Sequence, residues 1–348
     1  MNSTFTSIRE NLASVVLALT LLFLAVVSDL PYVRSEAGNT YEATGSVNDE
    51  PLLMIEENAA FPTYKSSGQI LILTVSSWGG PYGRLTWVDA MRTFFDSDVV
   101  IVPTSFLFDP DQTSEDISNQ GSQLFLSAES NAIAAAMEYL KLPVSKKLII
   151  GSIFEETPAV ENYKLGDVLL QLNGIALSDF ESITKIMDDV KPGESVTYTL
   201  IRDGNELEVS SATIENDGRT IVGIGILEQT IPPVDIEVQL PDVKGPSAGL
   251  AFAISLVELF SKKDFTQNRI IGVTGEITAN GDVKAIGGLD HKINGAYASG
   301  ARLMLIPREN CNAVPKVTPQ DLRLVPVTTL EEALEVLLQP NPKSYPKC

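Results

Sequence analysis

The stretch that most constrains this chain is a segment that is apolar on almost every side. Residues 250–260 read LAFAISLVELF. A helix without a polar face has to be buried, and this one is shorter than the roughly 20 residues that a membrane-spanning helix needs. We therefore predict that residues 250–260 form a buried helix in a globular core.

Composition fits a globular protein and excludes some partners. The chain has 348 residues, 44% of them hydrophobic, which allows two or three domains. The 45 acidic and 25 basic residues give a net charge of −20, which argues against binding to nucleic acid. One histidine and two cysteines, Cys311 and Cys348, provide neither a multi-histidine metal site nor a disulfide framework. The two cysteines could pair in an oxidising compartment.

A serine stands where the apolar helix begins. Gly245-Pro246 breaks the preceding strand and places Ser247 at or near the helix N-terminus. Free backbone N–H groups and the helix dipole would stabilise a developing oxyanion there, which suits a nucleophile. A serine at a helix start is more commonly only an N-cap. The position alone leaves both roles open.

A second helix, predicted after Gly287-Gly288, directs a lysine toward the interior. Its apolar residues recur with helical spacing at Leu289, Ile293, Ala296 and Tyr297. Lys292 lies on this apolar side, whereas His291 falls about 200° from Leu289 and is predicted to point away. Burial would lower the pKa of Lys292 by up to roughly 3–5 pH units, and a neutral amine can accept a serine proton. The alternative is a lysine whose stem covers apolar surface while its charge stays in water.

The N-terminal segment predicts a link to a membrane. Residues 12–27 carry no charge, and a run of this length lies between a signal-peptide core and a span of roughly 20 residues. We interpret residues 1–33 as a signal-anchor with one transmembrane helix and the bulk of the chain outside the cytoplasm. Cleavage of this segment is the alternative. Residues 34–66, which are polar and interrupted by glycine and proline, predict a juxtamembrane linker.

Residues 144–228 predict a small β-rich module. Short strands alternate with turn signals such as Asn173-Gly174 and Asp203-Gly204. One helix is predicted within the module, over residues 179–190, with Ser178 as its cap.

Two segments of this module have a recognisable pattern, VLLQLNG at residues 168–174 and YTLIRDG at residues 198–204. The first resembles the "GD-V-I-x-x-x-N-G" strand of PDZ domains, and the second resembles their closing hairpin. The resemblance implies a groove that takes up a peptide end as an extra strand. Its carboxylate-binding loop is expected just before Ile149. A β-module used only for packing is the alternative.

Several motifs follow one another in the C-terminal part of the chain: GPSAG at 245–249, TGEIT at 274–278, GDVKAIGGLDHK at 281–292 and ASGARLMLIP at 298–307. Together and in this order they resemble the peptidase domain of Lon proteases. This resemblance implies that Ser247 is the nucleophile, that Lys292 is the general base and that Thr274 supports the lysine. It implies no cofactor and no metal ion.

The resemblance also implies a fold class and a domain arrangement. We expect an α+β fold with a Lon-type peptidase domain at 229–340 and a tail at 341–348. Residues 67–143 are similar to the N-terminal part of the same domain. The PDZ-like module would then be inserted into a discontinuous peptidase domain.

Two features depart from the Lon pattern. Lon enzymes commonly carry an aspartate before "G-P-S", where this chain has Lys244, and the sequence contains no G-x-x-x-x-G-K-[ST] motif of a P-loop ATPase. Taken together, the chain resembles the membrane-anchored, PDZ-containing Lon-like proteases of bacteria. This implies a single-pass protein of the bacterial cell membrane that acts on protein or peptide substrates without ATP. A homo-oligomer is expected, because Lon-like domains commonly form rings.

Two functional hypotheses follow from the sequence. The first is an ATP-independent serine endopeptidase with a Ser247–Lys292 dyad that acts on unfolded or extended substrates. The second is a catalytically inactive, membrane-tethered PDZ protein on a peptidase fold, and Lys244 keeps this alternative open. A trypsin-like enzyme would need an ordered His, Asp and Ser triad, for which the single His291 is poorly placed. A zinc intramembrane protease is excluded because H-E-x-x-H is missing.

Overall fold

The structure is a computed structural model. It describes residues 2–56, 60–93, 98–109, 112–154, 157–216, 218–240, 243–339 and 345–348. The chain divides into two units, the first made of Met1–Ala136 and Ile236–Cys348 and the second of Met137–Asp235.

Helices occur throughout the described residues. The α-helices are, in chain order, α1 (Asn2–Val27), α2 (Trp87–Thr93), α3 (Ser114–Leu140), α4 (Ala159–Asn162), α5 (Phe180–Met187), α6 (Gly249–Phe260), α7 (Leu289–Ala298) and α8 (Leu330–Leu338). Short 3-10 helices lie at Gly80–Tyr82, Thr104–Phe106 and Arg308–Ala313.

Strands alternate with these helices along the chain. The strands that come before the second unit are β1 (Tyr32–Glu42), β2 (Ser46–Val47), β3 (Glu50–Pro51), β4 (Leu53–Ile55), β5 (Gln69–Gly79) and β6 (Val100–Pro103). The second unit contains β7 (Ser145–Ile153), β8 (Val168–Leu172), β9 (Ile175–Ala176), β10 (Ser195–Arg202), β11 (Asn205–Ala212), β12 (Ile214–Asn216), β13 (Arg219–Ile221) and β14 (Ile224–Ile231). The remaining strands are β15 (Ile236–Val238), β16 (Ile270–Val273), β17 (Glu276–Ile277), β18 (Val283–Lys284), β19 (Leu303–Pro307) and β20 (Arg323–Val327).

A mixed sheet organises the first unit. Its strand order is β20-β19-β16-β5-β1-β6. Strands β5, β16, β19 and β20 run parallel to one another, while β1 pairs antiparallel with both β5 and β6. The first unit is therefore a mixed α/β arrangement, in which α7 connects the parallel strands β16 and β19.

The prediction of a buried apolar helix is confirmed. Every residue of α6 from Gly249 to Glu258 is buried. Helix α7 packs against β1 and β5. It also lies close to β16, where a Cβ on Gly272 would stand only 2.9 Å from the Cβ of Ala296. The small residues allow this close approach, which fixes α7 relative to the sheet.

The predicted linker contains regular structure. Strand β1, which begins at Tyr32, pairs with β5 over most of its length. Strand β4 pairs with β15, which follows the second unit in the chain. The linker prediction for residues 34–66 is therefore wrong, because pairing with strands distant in sequence orders a segment whose own composition is typical of a loop.

The described part of the chain contains no helix that is both long and apolar enough to cross a membrane. Helix α1 covers the segment predicted to be a transmembrane helix. That prediction finds no support in the structure.

The second unit is built on an antiparallel sheet with the order β11-β10-β8-β7-β14. Two predicted turns, Asn173-Gly174 and Asp203-Gly204, have positive φ at both residues, as tight hairpin turns require. Helix α5 is shorter than predicted, and its cap is Asp179 rather than Ser178. The Asp179 side chain accepts the N–H of Ser182, whose hydroxyl completes a capping box.

Candidate active site

Ser247 lies two residues before the first residue of α6 and does not cap the helix. The N-cap residue is Ala248, and no side chain accepts a hydrogen bond from this helix end. The Ser247 carbonyl accepts the N–H of Gly275 at 3.0 Å. Gly245 has a φ of +90°, so the turn that leads into the serine requires glycine. The interpretation of Ser247 as a mere N-cap is therefore wrong, and its hydroxyl is free for another partner.

That partner is Lys292. Its Nζ donates a hydrogen bond to the Oγ of Ser247 at 2.7 Å and another to the Oγ1 of Thr274 at 3.2 Å. The side chain of Lys292 is only 3% exposed. Burial lowers the pKa of Lys292 from 10.5 to about 8, because the charged form loses its hydration. The structure thus brings together the three site residues that the sequence predicted.

Thr274 occupies the end of a strand in the main sheet. It directly follows β16 and is fully buried, and its N–H donates to the carbonyl of Leu305 in β19. Its hydroxyl reaches the Ser247 carbonyl at 3.3 Å as well as Lys292. Thr274 therefore connects the ends of β16 and β19 to both Ser247 and Lys292 through hydrogen bonds.

A glycine lets α7 bring Lys292 into this position. Gly288 has a φ of +65°, and a Cβ there would lie 2.7 Å from the Cγ2 of Val75 in β5. Its carbonyl accepts the N–H of Lys292, one turn into the helix. Gly288 thus permits both the left-handed turn and the close approach of α7 to β5.

The prediction that His291 points away from the protein is wrong. His291 is only 4% exposed, and its Nε2 lies 3.9 Å from Asp290 Oδ2. A single buried face does not describe α7, because the helix is covered by the sheet and also by the 3-10 helix Arg308–Ala313. No hydrogen bond between His291 and Ser247 occurs in the described structure, so Lys292 stays the candidate base.

Ser247 and Lys292 open into a cleft of about 680 Å³. One wall is β5 from Leu73 to Trp78. Strand β16 pairs with β5 only as far as Ile72, so this part of β5 has a strand partner only on the β1 side within the described chain. Its backbone can therefore pair with an extended peptide.

Two backbone donors adjoin the serine hydroxyl. The N–H groups of Ser247 and Ala248 have no acceptor among the residues that the structure describes. They lie at the N-terminal end of α6, where the helix dipole favours negative charge. These two N–H groups can stabilise the oxyanion that forms on a carbonyl group attacked by Ser247.

Lys244 lines the same cleft without contacting the pair. Its side chain is exposed, and its Nζ donates to the Oγ of Ser118 in α3. The backbone is held against the same helix, because the N–H of Gly245 donates to the carbonyl of Gly121. The lysine therefore leaves the Ser247–Lys292 hydrogen bond in place.

Sequence reasoning missed the cleft wall and left the cysteine pairing open. Ser76-Ser77 ends the apolar part of β5, and this change in pattern was the available signal for an exposed strand edge. Cys311 and Cys348 form a disulfide that ties the C-terminus to the 3-10 helix after β19.

The second unit also corrects one expectation. Ile149 in β7 pairs with Val168 on one side and with Leu227 on the other. A strand paired on both sides cannot take up a peptide, so the loop before Ile149 does not lead into a receiving strand. The outer strands of this sheet are β11 and β14.

Comparison with known proteins agrees with these two units. Residues 219–340 match the family model described as Lon protease (S16) C-terminal proteolytic domain, and residues 129–213 match the PDZ domain model. The fold is thus mixed α/β, with a Lon C-terminal peptidase domain and a PDZ-like β-module.

Individual Lon proteases are similar to parts of the chain. A Lon protease of Xanthomonas oryzae pv. oryzae is 37% identical over 123 residues, covering 33% of this chain and 14% of that protein. A Lon protease of Mycoplasma mycoides subsp. mycoides SC is 30% identical over 227 residues, covering 59% of this chain and 26% of that protein. The chain therefore spans about a quarter or less of the length of these relatives.

A solved structure is similar to part of the chain. The PDZ domain of an SdrC-like protein from Listeria innocua shares 20% identity, and the match covers 23% of this chain and 92% of that domain with a TM-score of 0.22.

Proposed function

We propose that this protein is an ATP-independent serine endopeptidase with a Ser247–Lys292 dyad. The hydrogen bond of 2.7 Å between Lys292 Nζ and Ser247 Oγ carries the proposal. It joins a hydroxyl that does not cap its helix to an amine whose pKa is lowered to about 8. A lysine with this pKa is partly neutral near physiological pH and can act as a base.

The proposed reaction has two halves. Neutral Lys292 accepts the hydroxyl proton while Ser247 Oγ attacks the scissile carbonyl carbon, and the N–H groups of Ser247 and Ala248 stabilise the oxyanion. Lys292 then gives the proton to the departing amine, which leaves an acyl-serine. Water, deprotonated by the same lysine, releases the second product and restores the serine. Thr274 holds Nζ in position throughout.

We propose that the substrate binds as an extended chain along β5. The edge of β5 from Leu73 to Trp78 offers backbone donors and acceptors beside Ser247. Only an unfolded or extended segment can pair in this way. We further propose that the substrates are already unfolded and that their hydrolysis needs no ATP.

We assign selection of peptide ends to the second unit. Strand β14 is an outer strand of its sheet, and Leu227 on it is 62% exposed. Near it, the N–H of Phe180 at the start of α5 donates to the Glu228 carboxylate. A peptide strand added to β14 would lie beside exposed apolar side chains.

Anchoring at the bacterial cell membrane and self-association are proposals that rest on the sequence alone.

The dyad is tested with the full chain and an unstructured protein substrate in the absence of ATP. Ser247→Ala and Lys292→Ala should each abolish cleavage, and Ser247→Ala should also abolish labelling by a serine-directed fluorophosphonate. Ser261→Ala at the opposite end of α6 and Lys284→Ala on β18 serve as matched controls that keep activity. Full cleavage by either dyad variant would show that the mechanism is wrong.

The competing proposal is an inactive peptide-binding protein. Lys244 is the feature in its favour. Intact substrate after long incubation of the wild-type chain, together with binding of C-terminal peptides, would establish it.

A further inference from the structure

A pocket at the far end of the parallel strands gathers three arginines. Strands β16, β19 and β20 begin side by side, with Ile271, Leu303 and Arg323 in register. The pocket next to these strand starts has a volume of about 400 Å³, and Arg269, Arg302 and Arg323 line it. Thr274 follows the opposite end of β16, so the pocket is separate from the candidate active site.

These arginines differ from others in the chain in their partners. Four arginines elsewhere pair with carboxylates, in the pairs Arg34–Glu36, Arg84–Asp29, Arg202–Asp167 and Arg308–Glu332. None of the three pocket arginines has a carboxylate partner within the described structure. In a chain of net charge −20, a pocket whose described lining has three guanidinium groups and no acidic side chain is a local positive site.

Arg323 presents unused donors. Its Nε and Nη2 are buried and have no hydrogen-bond acceptor among the described residues. These two nitrogens form the edge of a guanidinium group that binds the two oxygens of a carboxylate or phosphate side by side. Buried donors without a partner are unfavourable, and a bound acceptor would satisfy them.

The surrounding groups hold Arg323 and its neighbours in place. The guanidinium of Arg323 stacks 5.5 Å from the ring of Tyr345, and Arg302 stacks 4.6 Å from the ring of Tyr297. Arg269 donates to the hydroxyl of Tyr345 and to the carbonyls of Phe265, Thr266 and Leu337. These contacts engage Arg269. The Nη1 of Arg302 donates to the carbonyls of Ala301 and Tyr297, which leaves the other donors of Arg302 and those of Arg323 to meet a ligand.

We propose that this pocket binds a small multiply charged oxyanion, a phosphate- or carboxylate-bearing molecule that engages the Nε–Nη2 edge of Arg323 and the guanidinium of Arg302. A ligand with several oxygens on one centre matches both the paired donors and the summed charge. The volume of the pocket lies in the range that is typical of small-molecule binding sites.

The test is calorimetric titration of the full chain with inorganic pyrophosphate, and separately with citrate, at constant ionic strength. Wild type should bind, and Arg323→Gln should weaken binding about 10-fold or more because it loses two charge-assisted hydrogen bonds. Arg308→Gln, which removes an arginine outside the pocket, is the matched control and should bind as wild type does. The two titrants distinguish a phosphate ligand from a carboxylate ligand.

Two further variants keep the proposal testable if Arg323→Gln does not fold. Arg302→Gln changes an exposed side chain and should also weaken binding. Arg323→Lys keeps the charge but loses the paired donors, so it should bind more weakly than wild type. Unchanged affinity in both Arg323→Gln and Arg302→Gln, or no binding of either anion to the wild-type chain at millimolar concentration, would overturn the proposal.

Discussion

The Nζ of Lys292 lies 2.7 Å from the Oγ of Ser247, although 45 residues separate them in the chain. Ser247 is held before α6, and Lys292 projects from the first turns of α7. Both helices pack against the same sheet, and Thr274 at the end of β16 bonds to both residues. The geometry therefore depends on the sheet that both helices contact rather than on either helix alone.

The first prediction concerns the pH dependence of cleavage. The base must be neutral, and the pKa of Lys292 is lowered to about 8 by burial. Activity should therefore rise with pH through an apparent pKa near 8 and should fall about tenfold per pH unit well below it. The measurement is kcat/KM for a fluorogenic peptide between pH 6 and 10. A flat profile across this range would exclude Lys292 as the base.

The second prediction concerns the stability cost of the buried lysine. Folding lowers its pKa from 10.5 to about 8, so the unfolded chain binds the proton more tightly than the folded one. The resulting penalty is complete below about pH 8 and disappears as the pH rises to 10.5. Lys292→Met should remove a penalty of up to about 3 kcal/mol at pH 7 while it abolishes cleavage.

The check is urea unfolding of both proteins at pH 7 and pH 10. The stability advantage of Lys292→Met should be larger at pH 7 than at pH 10. Lys284→Met, on the exposed face of β18, is the control and should show no such pH dependence. An advantage that grows with pH would contradict the assigned burial effect.

The third prediction concerns Thr274 as a positioning residue. Its Oγ1 accepts a hydrogen bond from Lys292 Nζ at 3.2 Å, and this stabilises the ammonium form more than an apolar neighbour would. Thr274→Val should therefore lower the apparent pKa of the activity profile and also reduce kcat, by about 10-fold, because Nζ is less well placed. Thr274→Ser, which keeps the hydroxyl, should restore both quantities. A reduced kcat with an unmoved pKa would point to a packing defect instead.

The fourth prediction concerns Lys244. Together with Lys292 it supplies the charged side chains among the described residues that line the cleft. Because its ammonium group contacts Ser118 rather than the dyad, Lys244→Ala should leave hydrolysis of a neutral peptide within about fivefold of wild type. Hydrolysis of a matched peptide with glutamate in place of glutamine should fall more. Comparing the two peptides on both proteins measures this preference, and a Lys244→Ala variant that gains strong activity on all substrates would mean that Lys244 impairs the site.

Much of the candidate site could be predicted from the sequence. The apolar composition of residues 250–260 requires burial wherever the helix packs, and the spacing of apolar residues in α7 placed Lys292 inward. Positive φ values at Gly245 and Gly288 explain why glycine stands at the two turns that lead into the site.

Other features depend on contacts between distant segments. The polar strand β1 is ordered by β5, and His291 is buried because a second surface covers α7, neither of which follows from local periodicity. The same holds for the edge of β5 beside Ser247 and for the arginines at the strand starts. Local sequence determined which residues could do chemistry and which helices had to be buried. Only the tertiary structure decided which of them meet, because hydrogen bonding and desolvation depend on what neighbouring strands and helices bring within a few ångströms.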